Sequence, residues 1–223
     1  MGRAAEATFA TFLVGDSNRA AFDAAHAVAE APGRVHNPLV LLGRTGLGKT
    51  HLLHAIAAHV EQTQPPATRV VRHTSESFVN ELVVHMQGQT QLELMARYRS
   101  AGLVTIDDVH LLAGKDRTQG ELAAMVGPCV EAGGQLVLSS TVSLIRLPTL
   151  GRQLAAVAPH LLEVEIEDLT VDDRLALVRR KADDGGRPLP PEVEVFLSRF
   201  LTGGVREIEG ALNHMRFTSV SGA

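Results

Sequence analysis

The 223-residue sequence has no tryptophan, a single tyrosine and a single cysteine. The lone Cys129 excludes an internal disulfide and fits a reducing compartment. No apolar run approaches the roughly 20 residues that a membrane-crossing helix needs. The N-terminal stretch carries Glu6 and Asp16 and has no clean signal-peptide core; Glu6 also stands where a myristoylation motif wants Ser or Thr. An excess of basic charge is missing too. The formal net charge is -4, so no overall field announces a nucleic-acid partner, although a local patch remains compatible with it. These absences lead us to expect a cytoplasmic chain with no membrane partner. What is present is 45% hydrophobic residues, enough for one substantial core or for a main domain with a small satellite.

Short apolar runs alternate with helical patterns. The segments PLVLL (38–42), TRVVRHT (68–74), GLVTIDD (102–108), QLVLSS (135–140) and LLEVEIE (161–167) read as strands. In the stretch after the first of them, Leu52, Leu53, Ile56 and Val60 share one helical face. Strands alternating with helices imply crossover units and a largely parallel sheet, hence a three-layer α/β domain over residues 8–167. From DLTVDDRLALVRRKA onward the strands stop. Val171, Leu175, Val178 and Ala182 make a helical stripe, with Thr170 as N-cap, Asp172 and Asp173 in the first turn, and Arg179, Arg180 and Lys181 near the end. Two more helical patterns, 191–201 and 204–217, complete a small all-helical subdomain over residues 168–219.

The segment GRTGLGKT (43–50) satisfies the phosphate-loop pattern, with a buried strand before it and an amphipathic helix after it. Its chemistry dictates its composition. Phosphate oxygens are held by successive backbone N–H groups that side chains would obstruct, so Gly43, Gly46 and Gly48 are bare, and Thr45 and Leu47 contribute main chain. The following helix turns its partly positive end to the same anion. Lys49 reaches the terminal phosphates and the Thr50 hydroxyl helps hold Mg²⁺. The competing reading is a glycine-rich turn that binds nothing.

In LVTIDDVHLL, a buried strand ends in Asp107-Asp108, where open α/β sheets bind ligands. Asp107 is expected to organise Mg²⁺ and Asp108 to polarise an attacking water. The alternative is a pair of solvated turn aspartates.

Four stretches, FLVGDSNRAAFDAAHAVAEAPG, NPLVLLGRTGLGKTHLLHAIA, TIDDVHLLAGKDRTQGEL and GGVREIEGALNHM, closely resemble the AAA+ module of the bacterial DnaA initiator family, from about Phe9 to Phe217. The resemblance implies a P-loop AAA+ fold with a helical lid, ATP/ADP and Mg²⁺ as ligands, and head-to-tail self-assembly on nucleotide that engages single-stranded origin DNA and other replication proteins. Residue by residue it implies that Gly46 to Thr50 hold phosphates with His51 nearby. Val14, Gly15 and Asn18 would lie near the adenine, and Arg206 would act as the lid arginine that reaches the terminal phosphates. Lys49, Asp108 and Arg206 would be the catalytic groups. Val83, Arg117 and Thr118 match positions on a single-strand DNA path; a helix start with a solvated arginine accounts for Arg117 and Thr118 equally well.

The sequence also departs from that family. Counted without gaps, Val157 falls where a neighbour-sensing arginine finger belongs, and Gln153 replaces a second arginine. A valine cannot stabilise charge on a transferring phosphoryl group, and losing a finger costs about 10³ to 10⁵ in rate where one is used, so weak ATP turnover is expected. A shift of the loop would instead bring in Arg152. Thr141 stands at the acidic sensor-1 position, and Pro128 interrupts a helical pattern that it should kink. The family's helix-turn-helix domain is absent before Ala223, either naturally or because the chain is a fragment. Two other functional readings stay open: a hydrolysis-deficient adaptor that binds proteins, and a helicase-loader-like ATPase. His51 and His54 as metal ligands, and Arg179 to Lys181 as phosphate contacts, compete with plain solvated helix faces.

Overall fold

The structure, a computed structural model, describes residues 7–157, 161–186 and 188–221. Five parallel strands form one sheet: β1 (Leu39–Leu42), β2 (Arg69–Thr74), β3 (Ala101–Asp107), β4 (Gln135–Ser140) and β5 (Leu162–Glu165), in the spatial order β2-β3-β4-β1-β5. All five expected strands are present, with ends shifted by one or two residues. Helix α1 (Arg19–Glu30) precedes β1, and five more helices connect the strands: α2 (Lys49–Thr63), α3 (Ser75–Gln87), α4 (Gln91–Arg99), α5 (Asp116–Glu131) and α6 (Pro148–Val157).

The period of a strand sorts its side chains between two cores. In β1, Leu39 and Leu41 pack with α1 and α2, whereas Val40 packs on the opposite side with residues of α3 to α6. In β4, Val137 faces the first core, and Leu136 and Leu138 face the second. Central strands covered on both faces are buried almost throughout, as β3 and β4 are. Leu41 is fully buried, and its truncation to alanine would cost about 2–5 kcal/mol.

Three helices follow the sheet: α7 (Val171–Asp184), α8 (Pro191–Phe200) and α9 (Val205–Ser221). Thr170 caps α7 as expected, accepting from the Asp173 amide while the Asp173 carboxylate accepts from the Thr170 amide. Leu169, Leu177, Val178, Leu197, Ile208 and Leu212 extend the α1–α2 core into these helices. The trio is thus tied to the sheet on the side where α2 begins.

One expectation changes. The segment around Arg152 is a helix, not a loop, so Arg152 and Val157 are fixed about 140° apart around one axis and cannot exchange places. Pro128 lies inside α5, which runs on to Glu131.

Candidate functional site

The loop between β1 and α2 places its glycines where only glycine fits easily. Gly46 and Gly48 have φ of 87° and 101°, and a Cβ on Gly48 would sit 2.9 Å from the Phe12 ring. The first amides of α2 have no partner within the helix and face the same space. Lys49 is 5% exposed, and its ammonium donates to the carbonyls of Gly43 (2.7 Å) and Arg44 (2.9 Å). Burial pushes its pKa below the ordinary lysine value, Asp108 and Asp107 oppose that shift, and Arg206 adds to it.

The Thr50 hydroxyl donates to the Asp107 carboxylate at 2.7 Å. The other Asp107 oxygen accepts from Ser139 on β4, and Ser139 in turn accepts the Asp108 amide at 2.8 Å. Asp108 itself leaves the strand in a left-handed conformation, φ 57° and ψ 45°, uncommon for a residue with a side chain. The strand therefore stops at Asp107, and the two carboxylates diverge: Asp107 is buried among hydroxyls, and Asp108 lines an open cleft.

That cleft, about 660 Å³, is lined by Thr45, Gly46, Gly48, Lys49, Thr50, His51 and Asp108 from the sheet side and by Lys181, Val205, Arg206 and Glu209 from the helical trio. The Val205 amide donates to the Gly46 carbonyl at 2.8 Å, and Gly204 packs so closely that a Cβ would come within 2.4 Å of that carbonyl oxygen. An adjoining, largely apolar cavity of about 610 Å³ contains Leu13, Gly15, Asn18, Leu47, His51 and Asp173 among its walls.

The sequence-derived residues sort as follows. Thr45, Gly46, Gly48, Lys49, Thr50, His51, Asp108 and Arg206 meet in one cleft, and Gly43 joins them through its carbonyl. Gly15, Asn18 and Leu47 line the adjoining cavity, while Val14 packs against the core and Leu13 takes the wall. Asn18 shapes that wall by bonding the Leu13 carbonyl and the Gly15 amide. His51 bonds the Thr8 carbonyl at 2.8 Å; burial lowers its pKa first of all, so it is the neutral ring that packs beside Phe12. Val83 on α3 and Arg117 and Thr118 on α5 line neither cavity. Val157 ends α6, and its side chain lies outside the described residues.

Other readings are settled by contacts. Arg179 pairs with Glu194, Arg180 donates to the Ala10 carbonyl and Lys181 pairs with Glu209, so the basic run is engaged within the chain. His54 is exposed, and no group of three metal-binding side chains occurs among the described residues. Cys129 is buried, which pushes its thiol up to about 11, unsuited to a nucleophile. Sequence reasoning missed Ser139, Lys181 and Glu209. The signal for Ser139 lay in the register: β4 runs parallel to β3 with Leu138 opposite Ile106, which puts the next residue beside Asp107. His110 was also missed; its ring accepts the Thr141 amide at 3.3 Å, so Thr141 is tied by its main chain.

Residues 4–159 match the family model described as the bacterial DnaA ATPase domain. The chromosomal replication initiator protein DnaA of Symbiobacterium thermophilum is 39% identical over 208 residues, 93% of this chain and 45% of that protein, so the chain spans about half the length of this curated relative. Domain III of the Thermotoga maritima replication initiation protein DnaA superposes with a TM-score of 0.88 at 32% identity, covering all of this chain and 92% of that one. A replication initiator DnaA bound to AMPPCP and single-stranded DNA gives a TM-score of 0.85 at 29% identity, over 96% of this chain and 65% of that one.

Proposed function

Because this chain belongs to the bacterial DnaA ATPase domain family, we propose that it binds ATP and ADP in the cleft between the glycine loop and the helical trio, and acts in replication initiation or its regulation. The observation that carries the reading is the convergence of Lys49, Thr50, Asp108 and Arg206 on one cleft from two parts of the fold. Backbone amides of Gly46 to Lys49 and the Lys49 ammonium hold the phosphates, and Arg206 approaches them from α9. The base enters the apolar cavity between Leu13 and Asp173. A relative that carries AMPPCP supports this assignment.

The oxygen donors of Thr50 and Asp107, 2.7 Å apart, suit a small hard cation, and we assign Mg²⁺ to them. Bound there, Mg²⁺ would neutralise charge on the phosphates. Lys49 gives up its hydrogen bonds to Gly43 and Arg44 to meet the anion, and Asp108 accepts a hydrogen bond from water in the cleft. Turnover is slow, because Val157 offers no cation to a neighbouring site.

In this reading residues 8–167 carry the nucleotide and residues 168–219 close over it as a lid. ATP-bound copies assemble head-to-tail and contact single-stranded DNA through Val83, Arg117 and Thr118. Few contacts per subunit suffice when they repeat along an assembly. Sedimentation with a single-stranded oligonucleotide tests this: co-sedimentation with ATP and not with ADP supports it, and binding indifferent to nucleotide removes the assembly reading.

A further inference from the structure

The Ser75 hydroxyl, on the first residue of α3, is 1% exposed and does not itself line the cleft, yet it grips the acidic corner. It donates to the carbonyl of Asp108 at 2.9 Å and to that of Asp107 at 3.3 Å. The Asp107–Asp108 peptide is thereby held at both ends, by Ser75 at its carbonyl and by Ser139 at its amide. The Asp108 carbonyl also receives the Leu111 amide, which starts the short turn Val109–Leu112. No loop intervenes on the other side: β2 ends at Thr74, opposite Asp107, and α3 begins at the next residue.

We propose that Ser75 is a positioning residue that couples the state of the nucleotide cleft to helix α3. The inference rests on the nucleotide reading of the cleft given above. Asp107 and Asp108 carry carboxylates toward the ligand, and their main-chain carbonyls carry Ser75. Replacing the Thr50–Asp107 hydrogen bond with ligand contacts shifts the corner, where Asp108 already holds a left-handed backbone that a side chain disfavours. Ser75 transmits that shift to α3, whose outer side exposes Val83 (45%) and Val84 (64%), side chains that a partner would meet. A buried serine that merely satisfies itself would stabilise α3 equally in every nucleotide state.

Hydrogen exchange of the full chain, read over residues 76–87 with and without ATP and magnesium, separates these cases. Wild type should show slower exchange with nucleotide by about threefold or more. In Ser75→Ala that difference should vanish while the affinity for a fluorescent ATP analogue stays within about threefold, since Ser75 does not touch the ligand. Ser77→Ala is the structural control. It weakens the Thr74–Ser77 capping box and should speed exchange in both states, leaving the nucleotide-dependent difference intact. Should Ser75→Ala fail to fold, Ser75→Cys keeps the volume with a much weaker donor and is read in the same way. A full nucleotide response in the Ser75 variant overturns the coupling. So does a wild type that binds nucleotide without any response in α3, and there the reading of the cleft survives. A wild type that binds no nucleotide overturns both.

Discussion

The amide of Val205 donates to the carbonyl of Gly46 at 2.8 Å, so the helical trio is fastened to the glycine loop through the loop's own main chain. A ligand on that loop therefore senses both parts of the fold at once.

Gly204→Ala follows directly. The added methyl would meet the Gly46 carbonyl oxygen at 2.4 Å and its carbon at 2.6 Å, and neither is a flexible side chain that can swing away. Overpacking of this kind costs about 1–3 kcal/mol. The two sheet cores do not include Gly204, so the strain should fall on docking of the helical trio: about tenfold or more weaker ATP binding, with unchanged far-ultraviolet circular dichroism. Unaltered affinity would show that the lid contact does not matter to the ligand.

Ser139→Ala should destabilise the protein by about 1–3 kcal/mol in urea unfolding, because it leaves the Asp108 amide and one Asp107 oxygen without their partner in a buried place. Restoring a hydroxyl with Ser139→Thr should recover part of that loss. A neutral effect of the alanine would mean that water replaces Ser139 freely.

Much of this was legible in the sequence, for a physical reason. Strands buried on both faces keep a short apolar run, as Leu39–Leu42, Leu103–Val104 and Leu136–Leu138 do, and a phosphate loop can be built from few residue types, so β1, β3 and β4 and the span from Gly43 to Thr50 stand out. The region from Ser75 to Arg99 does not. Leu92 and Val84 are exposed there, at 82% and 64%, and apolar residues on the solvent side blur the helical period. The left-handed turn at Asp108 carries no glycine to mark it. The contribution of Lys181 and Glu209 to the cleft depends on how α7 and α9 dock, which spacing along the chain does not encode.

Acidification from neutral pH should lower stability. Burial depresses the pKa of His51 foremost, and likewise that of His73, below the ordinary 6.5. Below about pH 6.5 the unfolded chain takes up protons that these two rings in the folded chain resist, so unfolding becomes easier as pH falls until the folded values are reached. The melting temperature should therefore drop between about pH 7.5 and 5.5, and His51→Gln should flatten the slope. A slope that the substitution leaves unchanged assigns the effect elsewhere.

Low ATP turnover should yield to Val157→Arg if the missing cation is its cause. A gain on the order of 10³-fold, rising with protein concentration as a site shared between subunits requires, would bear this out. A gain independent of concentration, or none, would place the defect elsewhere.

The most direct test is calorimetric titration of ATP with magnesium into wild type and Lys49→Ala. The ammonium is buried where its charge is disfavoured, which offsets the loss of its bonds to the Gly43 and Arg44 carbonyls, so its removal should change the melting temperature little. Charge-assisted contacts to phosphate contribute about 1.5–3 kcal/mol, which predicts binding weakened about 10- to 150-fold. One ATP per wild-type chain, and that loss in the variant, is the result expected; equal binding by the two proteins, or none by wild type, would contradict the account at its base.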